Sequence, residues 1–318
     1  MARLLKLQSL LEGLLTYLPG CSHLLTNATL GTDSARYCYS VWLRHDVKTH
    51  PYRNDSSLNT IVELGPGDSL GIGLSALLSG AKKYIAVDAL KYAGVEKNQN
   101  VLNELATLFS TCSRIPDSVE FPEVKPFLEN YDFPKWLSCP QETVLNHRIQ
   151  KISHALRNPG YPDAIIAYHS PEAAYAHIAD NSVDFIFSQA VLEHVDKLEE
   201  AYSNCYKWLA PGGLMSHQID FKSHGMSWEW NGHWTYSSFL WRMIKGRRPY
   251  LINREPCSTH LRIMEKAGLD IVSIERKRRT SRLERTQLAD RFSHLTEDDL
   301  TTAGVYVIAK KTATDTTN

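Results

Sequence analysis

The sequence lacks an excess of charge of either sign. Across 318 residues, 35 basic side chains balance 35 acidic ones. A protein that binds the phosphate backbone of a nucleic acid usually carries a basic surface, and this composition offers none. Apolar residues make up 43% of the chain and charged residues 22%, which is typical of a soluble globular protein. The composition therefore predicts a folded protein with no nucleic-acid partner.

Long apolar runs are also absent. No run reaches the ~18 residues of a transmembrane helix, so no transmembrane segment is expected. The leucine-rich N-terminus is interrupted by Lys6 and Glu12 and does not fit a secretory signal. Its leucines recur at helical spacing, which predicts an amphipathic helix packed on its own domain. The alternative is a helix that binds a membrane surface or a partner.

Closely spaced cysteine pairs are missing as well. The six cysteines are scattered, at positions 21, 38, 112, 139, 205 and 257, and no C-x-x-C pair occurs. This spacing excludes the usual zinc motifs and predicts free thiols in a reducing, cytoplasmic compartment.

The pattern of apolar residues changes near residue 59. Residues 1–58 predict an N-terminal helical cap, and residues 59–313 alternate short apolar strands with helical stretches, which is typical of a parallel sheet. Proline-rich residues 110–162 suggest an insertion. Residues 222–258, rich in tryptophan, tyrosine and basic side chains, suggest a lid. Residues 314–318 are expected to be a disordered tail.

A glycine-rich turn follows the first predicted strand in "TIVELGPGDSLG". Glycines let the backbone bend sharply and approach a ligand closely, and the next helix points its first amides at the same place. The G-x-G-x-x-G pattern of dinucleotide-binding proteins is incomplete, because Leu70 occupies the third glycine position. Asp88, after the second strand, is placed to accept hydrogen bonds from ribose hydroxyls.

These motifs resemble those of the class I S-adenosylmethionine-dependent methyltransferases. "VELGPGDSLG" and "IAVDAL" are similar to the family's glycine motif and ribose acid, and "SVDFIFSQAVLEHV" with "LAPGGLMSHQID" resembles its fourth and fifth strands. The resemblance covers residues 59–220 and extends more loosely to 311. It implies an α/β, Rossmann-like, doubly wound sheet of seven mostly parallel strands with an antiparallel last strand. It also implies S-adenosylmethionine as cofactor.

The resemblance further implies which residues meet the cofactor. The glycine turn would lie under the methionine part, and residues at the end of the fourth strand would form the floor. The family's usual acid after the third strand is absent, so the adenine contact stays open. The implied cofactor-binding residues are Glu63, Gly65, Pro66, Gly67, Asp68, Asp88, Ala89, Leu90, Ser188, Gln189 and Ala190. In the N-terminal segment, Tyr37 and Arg44 are seven residues apart, so we expect one of them to contact the cofactor or the acceptor.

A histidine is the expected general base if the acceptor atom is oxygen. The candidates are His217 in the fifth strand, His224 after it, and His194 in "LEHV", with His217 favoured. A metal site formed by His217, Asp220, His224 and His233 fits no standard spacing, so no metal is expected.

The favoured function is O-methylation of a small molecule or glycan, because the aromatic and basic lid looks similar to methyltransferases of bacterial polysaccharide and secondary-metabolite pathways. One alternative is a non-catalytic cofactor-binding partner or scaffold with the same fold. A less favoured one is an NAD-dependent oxidoreductase.

Overall fold

The computed structural model describes residues 2–18, 32–53, 57–89, 94–137, 141–158, 164–248 and 251–312. Within them, seven strands form one sheet in the order β3-β2-β1-β4-β5-β7-β6. The strands are β1 (Thr60–Leu64), β2 (Lys83–Val87), β3 (Ile166–His169), β4 (Val183–Gln189), β5 (Leu209–Asp220), β6 (Leu269–Arg278) and β7 (Thr302–Lys311).

Strands β1 to β5 run parallel to their neighbours, whereas β7 lies antiparallel between β5 and β6. The carboxyl ends of β1 and β4 therefore meet at one edge of the sheet, at the point where the strand order reverses direction. Such a point is where open α/β sheets bind ligands. The predicted fold, including its antiparallel last strand, is confirmed.

Helices cover both faces of the sheet. They are α1 (Ala2–Leu15), α2 (Ala35–Thr49), α3 (Gly71–Ser79), α4 (Val95–Ser110), α5 (Glu142–Arg157), α6 (Pro171–His177), α7 (Leu198–Trp208), α8 (Ser238–Lys245), α9 (Cys257–Lys266) and α10 (Glu297–Thr301). One apolar layer lies between the sheet and helices α2 to α5, and a second lies under α7 and α9. Burial of these two layers is the main stabilising contribution to the fold.

Three local features are seen only in the structure. The segment 110–162 contains a regular helix, α5, which packs on α3 and α4. The "LEHV" stretch lies on a short 3-10 turn, Leu192–His194, and not on a helix. Helix α1 packs on α8, far along the chain, with Gly13 against the carbonyl oxygens of Met243 and Ile244. The domain boundaries themselves stay predictions, and the tail 314–318 lies outside the described residues.

The expectation that every cysteine is a free thiol is wrong. Cys38, Cys205 and Cys257 are buried free thiols, but Cys112 is disulfide-bonded. Cys21 and Cys139 lie outside the described residues. Sequence spacing missed the bond because a disulfide depends on distance in the fold and not on separation along the chain.

No helix in the described part of the chain is long and apolar enough to cross a membrane.

Candidate active site

The glycine turn takes the left-handed backbone that its sequence predicts. Gly65 and Gly67 have φ of 68° and 71°, which side chains with a Cβ resist. A Cβ on Gly65 would come within 2.5 Å of Val191, so the turn packs directly on the segment after β4. The amide of Gly67 lies 3.4 Å from the carboxylate of Asp88, which joins the turn to the end of β2.

The side chain of Glu63 is buried in the interior. Its carboxylate accepts a hydrogen bond from the hydroxyl of Tyr84 at 2.6 Å. Gly73 makes room for that tyrosine, because a Cβ there would lie 2.1 Å from its ring. Burial raises the pKa of Glu63 to about 8. The structure thus gives Glu63 an interior partner, and its predicted contact with the cofactor's amino group gains no support.

The other predicted cofactor residues around the turn differ in accessibility. Pro66 and Asp68 are buried, and the amide of Asp68 donates to the hydroxyl of Thr32 at 2.8 Å. Ala89 is exposed at the end of β2. Leu90 lies outside the described residues.

The end of β4 separates into two faces. Ser188 is fully buried and lies 2.8 Å from Nδ1 of His217, inside the layer under α7. Gln189 and Ala190 face a cavity on the other side of the sheet. Nε2 of His45, in α2, lies at hydrogen-bond distance from Oε1 of Gln189, 3.2 Å away. Gln189 and Ala190 are therefore better placed than Ser188 to meet a bound molecule.

The favoured base, His217, is sealed from solvent. It is 0% exposed, and burial lowers its pKa to about 3. Side chains alternate along a strand, so His217 shares the packed face with Ile219. A base must come within hydrogen-bond distance of its substrate, which this orientation does not allow. The geometry therefore disfavours His217 and directs attention to Asp220 and His224.

Tyr37 and Arg44, which were predicted together, occupy different environments. Tyr37 lines the cavity. Arg44 is fully buried, and its guanidinium donates to the carbonyl oxygens of Pro116 and Val124 at 2.8 and 2.5 Å. It thus fixes the loop beside the cavity and does not face into it, so a direct cofactor contact by Arg44 is disfavoured.

The cavity has a volume of about 390 Å³. It lies at the carboxyl ends of β4 and β5, beside the start of β7. Gln189, Gln218 and Asp220 provide polar groups, and Tyr37 and Tyr306 provide aromatic surface. The volume is in the range of small-molecule sites.

Ion pairs line one wall of the cavity. Lys222 lies 3.1 Å from both Asp220 and Glu123, and Lys277 lies 2.8 Å from Glu123. Burial, with the charge of Lys277 nearby, lowers the pKa of Lys125 to about 8. Such a wall suits a hydrophilic molecule, because an apolar one would strip water from these charges without replacing it.

A cluster of possible ligand groups lies beside this cavity. Atoms of Glu193, His194 and His224 lie within 4.8 Å of one another. Nε2 of His224 is 3.7 Å from the carboxylate of Asp220, which lines the cavity. His224 has a left-handed backbone, with φ of 47°. Two of the predicted catalytic histidines, His194 and His224, are thereby brought together, and His217 is left apart.

The predicted lid is mostly interior. Trp230, Trp234 and Trp241 are buried, and the indoles of the first two donate to the carbonyl oxygens of Thr280 and Arg254. Of the segment's described tryptophans, Trp228 is exposed. The three buried tryptophans stabilise the fold. Among these four tryptophans, Trp228 is the one exposed enough to stack on a sugar.

Comparison with known proteins gives one family match. A family model described as a methyltransferase domain matches residues 145–216. No curated protein matches the chain. The match covers less than half of the chain, and together with the strand order it makes the chain similar to the class I S-adenosylmethionine-dependent methyltransferases. Both findings support an enzyme that uses S-adenosylmethionine, as the motifs predict.

Solved structures similar to the chain include an S-adenosylmethionine-dependent methyltransferase from Mesorhizobium loti, at 13% identity and a TM-score of 0.41, covering 88% of this chain and 100% of that one. Another, from Methanosarcina mazei, has 12% identity, a TM-score of 0.45 and coverage of 84% and 98%. The geranyl diphosphate C-methyltransferase of Streptomyces coelicolor has 12% identity, a TM-score of 0.44 and coverage of 84% and 78%. At these values the likenesses carry no information about the site.

Sequence reasoning overlooked Glu193. Its signal in the sequence is an acid next to a histidine, within the "LEHV" stretch in which His194 alone was considered as a catalytic residue. The neighbour that gives it significance, His224, lies 31 residues away along the chain and meets it only in the fold.

Proposed function

We propose that the protein transfers a methyl group to an oxygen atom of a small hydrophilic acceptor, such as a sugar or a glycan end, bound in the cavity beside β4 and β5. The observation that carries this proposal is the position of the cavity. Both Gln189, the last residue of β4, and Ala190, which follows it, line the cavity, and in the resemblance the end of this strand forms the floor of the cofactor site. An acceptor there would lie next to the cofactor's methyl group.

The wall of the cavity supports the acceptor class. Amide, carboxylate and ammonium groups can all bond to hydroxyls, while Tyr37 and Tyr306 offer surface for a sugar ring. Methyl transfer needs alignment above all, because the cofactor itself supplies the reactivity. The cytoplasmic location predicted from the sequence fits this reaction and stays a prediction.

Asp220 is our candidate for accepting the hydroxyl proton. It lines the cavity and is half-buried at the end of β5. Burial opposes its ionised form, but His224 and the charge of Lys222 together keep its pKa below the ordinary value. Asp220 is therefore a carboxylate at neutral pH, able to accept a proton or to orient a hydroxyl.

The test is turnover on a panel of sugars, uronic acids and phenols, read as S-adenosylhomocysteine formed. Asp220→Asn should lower turnover about 10²- to 10⁴-fold, the usual cost of losing a general base, with little change in cofactor affinity. Asp180→Asn, an exposed change before β4, is the matched control. Normal turnover by Asp220→Asn would remove Asp220 from the mechanism, and turnover on nitrogen or carbon acceptors alone would overturn the oxygen assignment.

A further inference from the structure

The cluster after β4 and β5 contains a carboxylate for which the described part of the chain provides no hydrogen-bond partner. Glu193 is 2% exposed, and neither of its carboxylate oxygens has a hydrogen-bond partner within the described residues. Burial raises the pKa of Glu193 well above its ordinary value, and the nearby backbone amides of Glu193 and Asp220 oppose that shift without forming an aligned hydrogen bond. A buried acid without a partner is costly, since such groups are normally bonded, paired or bound to a metal.

Two imidazoles stand beside this acid. His194 follows it in the chain, and the rings of His194 and His224 have centroids 5.3 Å apart. One ligand atom from each of Glu193, His194 and His224 fits within 4.8 Å. Two nitrogens and a carboxylate on one side of a small space are a donor set that first-row divalent metals accept.

The turn that carries two of these groups is held in place from outside the cluster. The side-chain amide of Asn253 donates to the carbonyl oxygens of Leu192 and Val195, each at 2.8 Å. Its backbone amide donates to the carbonyl oxygen of Glu193 at 2.6 Å. These bonds fix the backbone of Glu193 and His194 before any ion arrives, which lowers the cost of assembling a site.

Two further features of the cluster suit a metal site: Asp220 lies next to His224, and His224 is accessible to solvent. The Asp220 carboxylate is 3.7 Å from Nε2 of His224, in the position of an outer carboxylate that orients a metal-binding histidine. The side chain of His224 is 34% exposed, so an ion can enter from solvent.

We propose that Glu193, His194 and His224 bind a divalent first-row metal ion such as Mn²⁺ or Zn²⁺, at the edge of the acceptor cavity. Three protein ligands leave coordination positions open for an oxygen of the acceptor or for water. A bound ion lowers the pKa of a coordinated hydroxyl and fixes its orientation. This role rests on the proposed function, whereas ion binding itself does not. In the proposed reaction, His224 is a metal ligand and Asp220 accepts the proton of the acceptor hydroxyl.

The test is titration of MnCl₂ and of ZnCl₂ into the full chain after chelator treatment, followed by calorimetry and, for Mn²⁺, by electron paramagnetic resonance. One ion per chain is expected. Glu193→Gln and His224→Ala should each lower its affinity at least tenfold, and Asp220→Asn should lower it about 10- to 100-fold. The matched controls are Glu104→Gln and His147→Ala, both exposed and on other elements.

Folding and function are checked separately. Glu193→Gln removes a buried acid without a partner, so its melting temperature in metal-free buffer should equal or exceed that of the parent. Affinity for S-adenosylhomocysteine should be the same with and without metal, because the glycine turn does not depend on the cluster. Failure of the parent to bind either ion, or equal binding by the cluster variants, would overturn the metal site. Loss of cofactor binding would instead count against the proposed function.

Discussion

Glu63 should make the protein less stable as pH rises through neutrality. Its carboxyl is buried beneath α3 against Tyr84, and burial raises its pKa from 4.5 to about 8. The folded state therefore keeps the proton at pH 7, while the unfolded chain releases it. Because the unfolded state binds fewer protons in this interval, the free energy of unfolding falls between pH 4.5 and 8.

The size of this effect follows from the two pKa values. At pH 7 the unfolded carboxyl is 2.5 units above its pKa, and each unit corresponds to about 1.4 kcal/mol. Glu63 should thus cost about 3 kcal/mol of stability between pH 4.5 and 7. Glu63→Gln keeps the shape and an oxygen acceptor for Tyr84 but cannot ionise, so it should remove this loss.

Urea unfolding of both proteins at pH 4.5, 6, 7 and 8 measures the difference, and Glu104→Gln serves as the exposed control. The parent and the variant share every other titrating group, so buried histidines cancel in the comparison. Relative to the parent, Glu63→Gln should gain about 3 kcal/mol from pH 4.5 to 7. A difference that stays constant with pH would refute the assignment of a buried, protonated Glu63.

Two further variants test the turn and the loop beside the cavity. Gly67→Val should abolish S-adenosylhomocysteine binding while the protein stays folded, because a branched side chain resists a φ of 71° and occupies the ligand's space. Calorimetry measures the binding and circular dichroism measures the folding. Normal binding by the variant would mean that the turn has only a structural role. Arg44→Met should lower the free energy of unfolding by about 3–5 kcal/mol, because the carbonyl oxygens of Pro116 and Val124 lose charged donors; a loss below 1 kcal/mol would contradict the role of Arg44 in fixing the loop.

The sheet could be predicted from the sequence because its signals are local. The run Ile61–Val62 ends in a glycine turn, and the run around Ile85 ends at Asp88, so strand, turn and acid are readable in one window. The antiparallel last strand was implied by the resemblance to the methyltransferase family, and the pairing of β7 with β5 and β6 confirms it.

The orientation of side chains at the site could not be read in the same way. His217 and Gln218 are neighbours in sequence, yet one is sealed under α7 and the other lines the cavity. Which face a strand turns toward the ligand depends on the helices that pack on it. The cluster of Glu193 and His224 likewise needs two strand ends to meet, which no window of sequence shows.

The central claim is that the glycine turn and Asp88 hold S-adenosylmethionine, and its most direct test is titration with S-adenosylhomocysteine and NAD. The account predicts that S-adenosylhomocysteine raises the melting temperature and that NAD does not. It also predicts that Asp88→Ala weakens S-adenosylhomocysteine binding by about 1.5–3 kcal/mol, the scale of a lost hydrogen bond to a charged group, with Asp180→Ala unchanged. Stabilisation by NAD instead, or equal affinity of Asp88→Ala and the parent, would contradict it.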